Sequence, residues 1–169
     1  MKWVAITGSW RATTKKIEKD VRQTVRKIMT DGNGIVTGGA LNVDYFATDE
    51  AIKLNPSCDR IKVFLPATLA RYSLHYLKRA REGVITKNQV ESLISQLEKL
   101  KRINPQALIE NNKNTVVNKR TYFERNTDVI KAADELVAFH ASVSHAGVQD
   151  TVAKAKERGF KTKIFKYKL

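Results

Sequence analysis

Cys58 is the only cysteine in the 169-residue chain, which excludes an intrachain disulfide framework and a cysteine-rich zinc site. No stretch approaches the roughly 20 consecutive apolar residues needed to span a bilayer. The opening run, Met1 to Gly8, is too short for a secretory signal. A cytoplasmic protein with no membrane partner is expected. Neither G-x-x-x-x-G-K-[ST] nor G-x-G-x-x-G occurs, so P-loop ATPase chemistry and ordinary NAD binding are disfavoured and no cofactor is called for. Internal repeats and coiled-coil heptads are missing as well. Acidic residues are few: 17 Asp and Glu stand against 31 Lys and Arg, a formal charge of +14.

Such a charge favours polyanionic partners, nucleic acid ahead of a membrane surface. A lysine-rich solvated surface accounts for it equally well. The basic residues are spread along the chain, and the last segment carries Lys161, Lys163, Lys166 and Lys168, where edge lysines discourage aggregation. Charge alone does not decide between the two. The 42% hydrophobic content is that of a globular protein. One domain over residues 1–169 is expected, long enough to fold without staples.

Along the chain, short apolar runs alternate with helical periodicities. Lys2 to Thr7 reads as a strand ending at Gly8. Ile17, Val21, Val25 and Ile28 form one helical stripe, stopped by Asp31-Gly32-Asn33-Gly34. Ile35 to Thr37 is a second strand, Val43 to Leu54 a second helix closed by Pro56, and Ile61 to Leu65 a third strand ended by Pro66. From about 66 to 118 the rhythm is interrupted by a helical insertion without strands of its own. It contains a shorter helix over Leu69 to Arg81. Thr86 and Gln89 then form a capping box ahead of Val90, Leu93, Ile94, Leu97 and Leu100. Asn104-Pro105 and Asn111 to Asn114 read as exposed loop. Beyond it lie a helix through Tyr122 to Ala133, a strand over Glu135 to Phe139, a helix over Val148 to Arg158 and a strand over Lys161 to Tyr167. Strands alternating with helices imply an α/β fold. Right-handed crossovers make it a Rossmann-like, doubly wound parallel sheet of about five strands with the insertion after the third.

Ligands of such sheets bind beyond the carboxyl ends of the strands. The unusual residues of this chain recur there: Gly8-Ser9-Trp10-Arg11, then Thr37-Gly38-Gly39-Ala40 through Asp44, then His140 through Gly147. Gly38 and Gly39 permit close backbone approach, and the following helix N-terminus offers free amides. Ser9 supplies a hydroxyl and Arg11 a guanidinium fork suited to phosphate. Ser144 with the amides near Gly147 extends the same chemistry. The competing reading is that the glycine pair serves tight helix–strand packing. His140 and His145 lack carboxylates at metal spacing, so no metal is expected, and His75 reads as a surface residue of the insertion.

The series Ile6-Thr7-Gly8-Ser9, Thr37-Gly38-Gly39-Ala40-x-x-Val43-Asp44, Arg125-Asn126, Ala133 to Phe139 and Ser144-x-x-Gly147 resembles the SLOG superfamily. That superfamily gathers DprA/Smf-type DNA-processing proteins, the LOG or "lysine decarboxylase-like" phosphoribohydrolases and other Rossmann-like nucleotide-binding proteins. The similarity runs along nearly all the chain outside roughly Leu69 to Asn118. The resemblance implies that Gly8, Ser9, Gly38, Gly39, Asp44, Arg125, Ser144 and Gly147 line a pocket for a nucleotide or a nucleic-acid phosphate. Trp10, Arg11, Ala40 and Asn126 join these as candidates by their place beside them. The chain departs from the family twice. Asn42 stands where glycine is common, and asparagine is the next-best residue for a left-handed turn. Thr151 occupies the place of the LOG catalytic glutamate, so catalysis stays open and no catalytic residue is assigned. Asp44 has a simpler role as a helix cap, and Arg125 the alternative of a surface pair with Glu124.

Three functions compete. Binding of a nucleotide or nucleotide-derived phosphate ligand comes first. DprA-like binding of single-stranded nucleic acid comes second. It would use the charge, a base stacked on Trp10, and the basic-aromatic stretch Arg71, Tyr72, His75, Tyr76, Lys78, Arg79 and Arg81. An amphipathic packing helix is the simpler account of that stretch. Third is a LOG-type nucleotide N-glycosidase, with Asp44, Glu124 or Asp150 as acid or base. The amphipathic helices of the insertion could also pair subunits of a homo-oligomer.

Overall fold

The computed structural model describes residues 1–141 and 146–169. The chain alternates β1 (Trp3–Gly8), α1 (Lys15–Thr30), β2 (Gly34–Thr37), α2 (Val43–Leu54) and β3 (Ile61–Phe64). The insertion supplies α3 (Leu69–Arg81), α4 (Lys87–Ile103), a single 3-10 turn and β4 (Leu108–Ile109). The alternation resumes with α5 (Lys119–Lys131), β5 (Glu135–Ala141), α6 (Ala146–Glu157) and β6 (Lys161–Tyr167).

All pairings are parallel and the sheet order is β4-β3-β2-β1-β5-β6. The chain therefore starts in the middle, winds outward through β2, β3 and β4, and returns to β5 on the other side of β1. The winding reverses between β1 and β5, which fixes the crevice of a doubly wound sheet at their carboxyl ends. The sheet has six strands rather than about five. The extra one, β4, comes from within the insertion, which therefore does contribute a strand. A two-residue strand is too short to show a period of two. It forms because Val63 and Phe64 leave an open edge, which Leu108 and Ile109 complete.

The period-two pleat of the strands separates two cores. Val4 and Ile6 of β1 and Ile35 of β2 point to the face covered by α1, α2 and the insertion helices. Ala5, Val36 and Leu136 point to the other, against Val129 and Ile130 of α5 and Ala155 of α6. Each fully buried Leu or Ile contributes about 1.5–3 kcal/mol relative to exposure. The stripe Ile17, Val21, Val25 and Ile28 is buried as its spacing predicts, and the Thr14 hydroxyl caps its helix by accepting from the Ile17 amide at 3.2 Å. On α4, Val90, Leu93, Leu97 and Leu100 are buried and the Thr86–Gln89 capping box forms. Tyr72 and Tyr76 of α3 are likewise buried, in keeping with a packing helix. No helix among the described residues is long and apolar enough to cross a membrane.

Candidate functional site

The first two loops at the crevice are locked to each other. Gly8 ends β1 where a Cβ would lie 2.4 Å from Val43 Cγ2, so only glycine lets the start of α2 come this close. Ser9 is buried and its hydroxyl accepts from the Ala12 amide at 3.1 Å. Asn42, at φ 61°, takes the left-handed turn and donates its side-chain amide to the Trp10 carbonyl at 2.6 Å. Asparagine thus does what glycine cannot, because its side chain also clamps the neighbouring loop.

The glycine loop after β2 closes on protein groups. The Asp44 carboxylate accepts from the Gly38 amide at 3.1 Å and the Ala40 amide at 3.2 Å. It lies just inside α2, whose N-cap is Asn42, so it holds the loop and does not cap the helix. These two loop amides, in the stretch expected to approach a ligand, are occupied. The glycines serve close packing: a Cβ on Gly38 would lie 2.5 Å from Arg125 Nη1, and one on Gly39 2.7 Å from Leu65 Cδ2. The Gly39 carbonyl accepts from the Tyr72 hydroxyl at 2.9 Å.

Helix α5 joins this loop to the start of α6. Arg125 is 9% exposed. Its Nη1 donates to the Gly38 carbonyl in a very short contact, and its Nε donates to Asn126 Oδ1 at 3.0 Å. The guanidinium also lies 5.3 Å from the Tyr122 ring centroid, in the range of a cation–π contact. The Asn126 amide then reaches Asp150 Oδ2 at 3.1 Å and the Gly147 carbonyl at 3.4 Å. The surface pairing of Arg125 with Glu124 is not what forms: Glu124 is bound by Arg120 and Asn114. Burial pushes the Asp44 carboxyl above its usual range, against the pull of Arg125 and the two amides.

These contacts enclose a cavity of about 560 Å³, within the roughly 300–1,000 Å³ of small-molecule sites. Gly8, Trp10, Gly38, Ala40, Asp44, Arg125, Asn126 and Gly147 line it. Among the other candidates, Ser9 turns into its own loop, Gly39 faces the core, and Arg11 is exposed with its guanidinium 5.4 Å from the Trp10 ring centroid. Ser144 and His145 lie outside the described residues. Ile6, Thr7, Val148 and Thr151 also line it, and other walls come from places the motifs did not mark: Tyr122, Phe123 and Lys119 of α5 and Val117 before it. From α3 come Tyr76, Arg79 and His75, the last half-buried in the cavity wall rather than at the protein surface. The basic-aromatic spacing on α3 was the available signal; for α5 there was none beyond Arg125-Asn126.

Carboxylates are sparse here. Among the described lining residues Asp44 is the one carboxylate. Thr151, at the LOG glutamate position, is buried and donates its hydroxyl to the Gly147 carbonyl at 3.0 Å. Asp150 is held by Lys154 at 2.5 Å as well as by Asn126.

No family model and no curated protein matches the sequence. Solved structures do match the fold. DNA processing protein A from Helicobacter pylori, whose structure was described for its single-stranded DNA binding mode, superposes with a TM-score of 0.68 at 19% identity, over 96% of this chain and 64% of that one. DNA processing protein A (DprA) from Streptococcus pneumoniae gives 0.53 at 15%, over 95% and 58%. The molybdenum cofactor carrier protein from Chlamydomonas reinhardtii gives 0.53 at 14%, over 97% and 76%. The chain thus spans less than two thirds of the length of either DNA processing protein. With its all-parallel sheet, reversed winding and interlocked glycine loops, the chain has a Rossmann-like fold, shared with these solved structures.

Proposed function

We propose that this protein binds a nucleotide or nucleotide-derived phosphate ligand in the cavity at the carboxyl ends of β1, β2 and β5. The observation that carries this reading is the cavity itself. It sits at the reversal of the winding, with aromatic side chains on its walls and cationic side chains among its lining residues. Trp10, Tyr122 and Phe123 offer flat surfaces for a base. The hydrolase alternative has weaker support, since the cavity's one carboxylate among the described residues already holds two backbone amides.

Thermal unfolding against nucleoside mono-, di- and triphosphates tests the reading. A ligand at 100 times its dissociation constant adds about 2.7 kcal/mol, a shift of several degrees. A shift that persists at high salt and is lost in Tyr122→Ala supports the pocket. No shift with any of the panel removes it.

A second reading is supported by the +14 charge and by the likeness to the Helicobacter pylori protein. In it, the chain binds single-stranded nucleic acid. A short oligonucleotide in the same assay would then give the only shift, and that shift would collapse between low and high salt because several phosphate contacts release counterions.

A further inference from the structure

We infer that a nucleoside phosphate enters this cavity base first and leaves its phosphate at the mouth, on Arg79 and Lys119. The inference rests on the reading just given and assigns the end of the ligand that each part of the site takes. The floor and the mouth differ in chemistry. On the floor, the Gly38 and Ala40 amides are spent on Asp44, and the Arg125 guanidinium is spent on the Gly38 carbonyl and Asn126. A phosphate driven to that depth would meet the Asp44 carboxyl, already buried and holding both amides. It would have to displace those bonds and would stay desolvated and unpaired, which is costly for a doubly charged group.

The walls suit the other end. Trp10, Tyr122 and Phe123 are half-buried in the lining and present aromatic surface between floor and solvent. A planar base gains stacking and burial there without asking the floor for hydrogen bonds it has already made.

The cations stand where the cavity opens. Of its lining residues, Arg79, Asn118, Lys119, Ala146 and Gly147 are exposed and so mark the mouth, and Arg79 and Lys119 are the cations among them. They come from different helices, α3 in the insertion and the first turn of α5. Lys119 makes no ion pair among the described residues, and its Nζ sits 5.5 Å from the Phe123 ring centroid. Among the described residues Arg79 has one ion-pair partner, the exposed Glu82 at 3.3 Å, a contact of little strength in water. Both remain free to turn onto a phosphate, Arg79 as a two-pronged donor and Lys119 as a point charge.

The test is fluorescence titration in a Trp3→Phe background, so that Trp10 is the only tryptophan and reports the wall. The probes are adenosine, guanosine, cytidine and uridine and their 5′-monophosphates. At least one nucleoside is expected to quench Trp10, and its monophosphate to bind about tenfold more tightly. Arg79→Ala and Lys119→Ala should each remove roughly threefold of the monophosphate affinity and leave the nucleoside unchanged. Both side chains are exposed, so unliganded unfolding should not move. If monophosphates bind no better than nucleosides, or if the advantage survives both substitutions, the phosphate does not sit at this mouth and the inference falls while ligand binding stands. If none of these probes and no nucleoside di- or triphosphate changes the fluorescence or the unfolding midpoint, the binding reading falls and the inference with it.

Discussion

Arg125 donates to the carbonyl of Gly38 across 87 positions of sequence, and the absence of a side chain at Gly38 is what makes room for its guanidinium. The pair ties α5 to the loop after β2, and through Asn126 to α6. Three of the elements that enclose the cavity are thereby held by one buried side chain.

Gly38→Ala places a methyl group 2.5 Å from Arg125 Nη1, so it should destabilise the fold by about 1–3 kcal/mol. Arg125→Ala should cost about 2–3 kcal/mol by leaving the Gly38 carbonyl unsatisfied and Asp44 without its counter-charge. Because each change disrupts the same contact, the double variant should fall short of the sum by about 1 kcal/mol or more. Urea unfolding of the four proteins measures this; strict additivity would mean the contact contributes nothing.

Asp44 has a signed pH dependence. Burial raises its carboxyl, outweighing Arg125 and the two loop amides. The folded state therefore holds the proton more tightly than the unfolded one. That contribution is fully present below the ordinary aspartate range and is lost as pH rises through the elevated value. Asp44→Asn removes it. Wild-type stability relative to the variant should decline as pH rises from the ordinary carboxylate range, read from chemical unfolding between pH 4 and pH 8. A difference that stays flat or grows with pH would contradict the assignment.

Burial and the neighbouring Arg79 and Lys78 push the His75 imidazole below the ordinary histidine range, opposed by Glu82. Its neutral form is favoured in the fold, so the stability it contributes is present above the unfolded value and lost as pH falls through the depressed one. Imidazole resonances followed by NMR should titrate below those of a free histidine. Arg79→Ala should move the midpoint upward by removing one of the two cations.

Gly39 joins strain and packing in one residue. Its φ of +66° and the 2.7 Å approach of Leu65 Cδ2 to a Cβ position both oppose any side chain. Gly39→Ala should cost about 2–4 kcal/mol. Tyr72→Phe, which deletes only the hydroxyl that donates to the Gly39 carbonyl, should cost about 1 kcal/mol. A thermal melt ranks the two; equal losses would show that the hydrogen bond, not the backbone, dominates at this loop.

Much of the fold was legible in order and in kind. Ile17, Val21, Val25 and Ile28 spell a helix face because a stripe at 3.6 spacing buries only as a helix. Thr86 and Gln89 spell its start because a capping box is a local contact. The glycine-rich ends of β1 and β2 pointed to the crevice because a parallel sheet leaves its ligand side there. β4 was not legible, since two residues carry no period and the strand exists only where β3 offers an edge.

The sequence by itself determined the alternation of strands and helices and the residues that gather at the carboxyl ends of the strands. These follow from local periodicity and backbone freedom, which neighbouring residues set among themselves. Tertiary structure decided which polar groups face one another. Asp44 takes the Gly38 and Ala40 amides within the loop expected to approach a ligand, and Arg125 is spent on a carbonyl. Tyr122, Phe123, Arg79 and Lys119 become the wall and mouth of the cavity. Such choices depend on distances between segments far apart in the chain, and no local pattern encodes them.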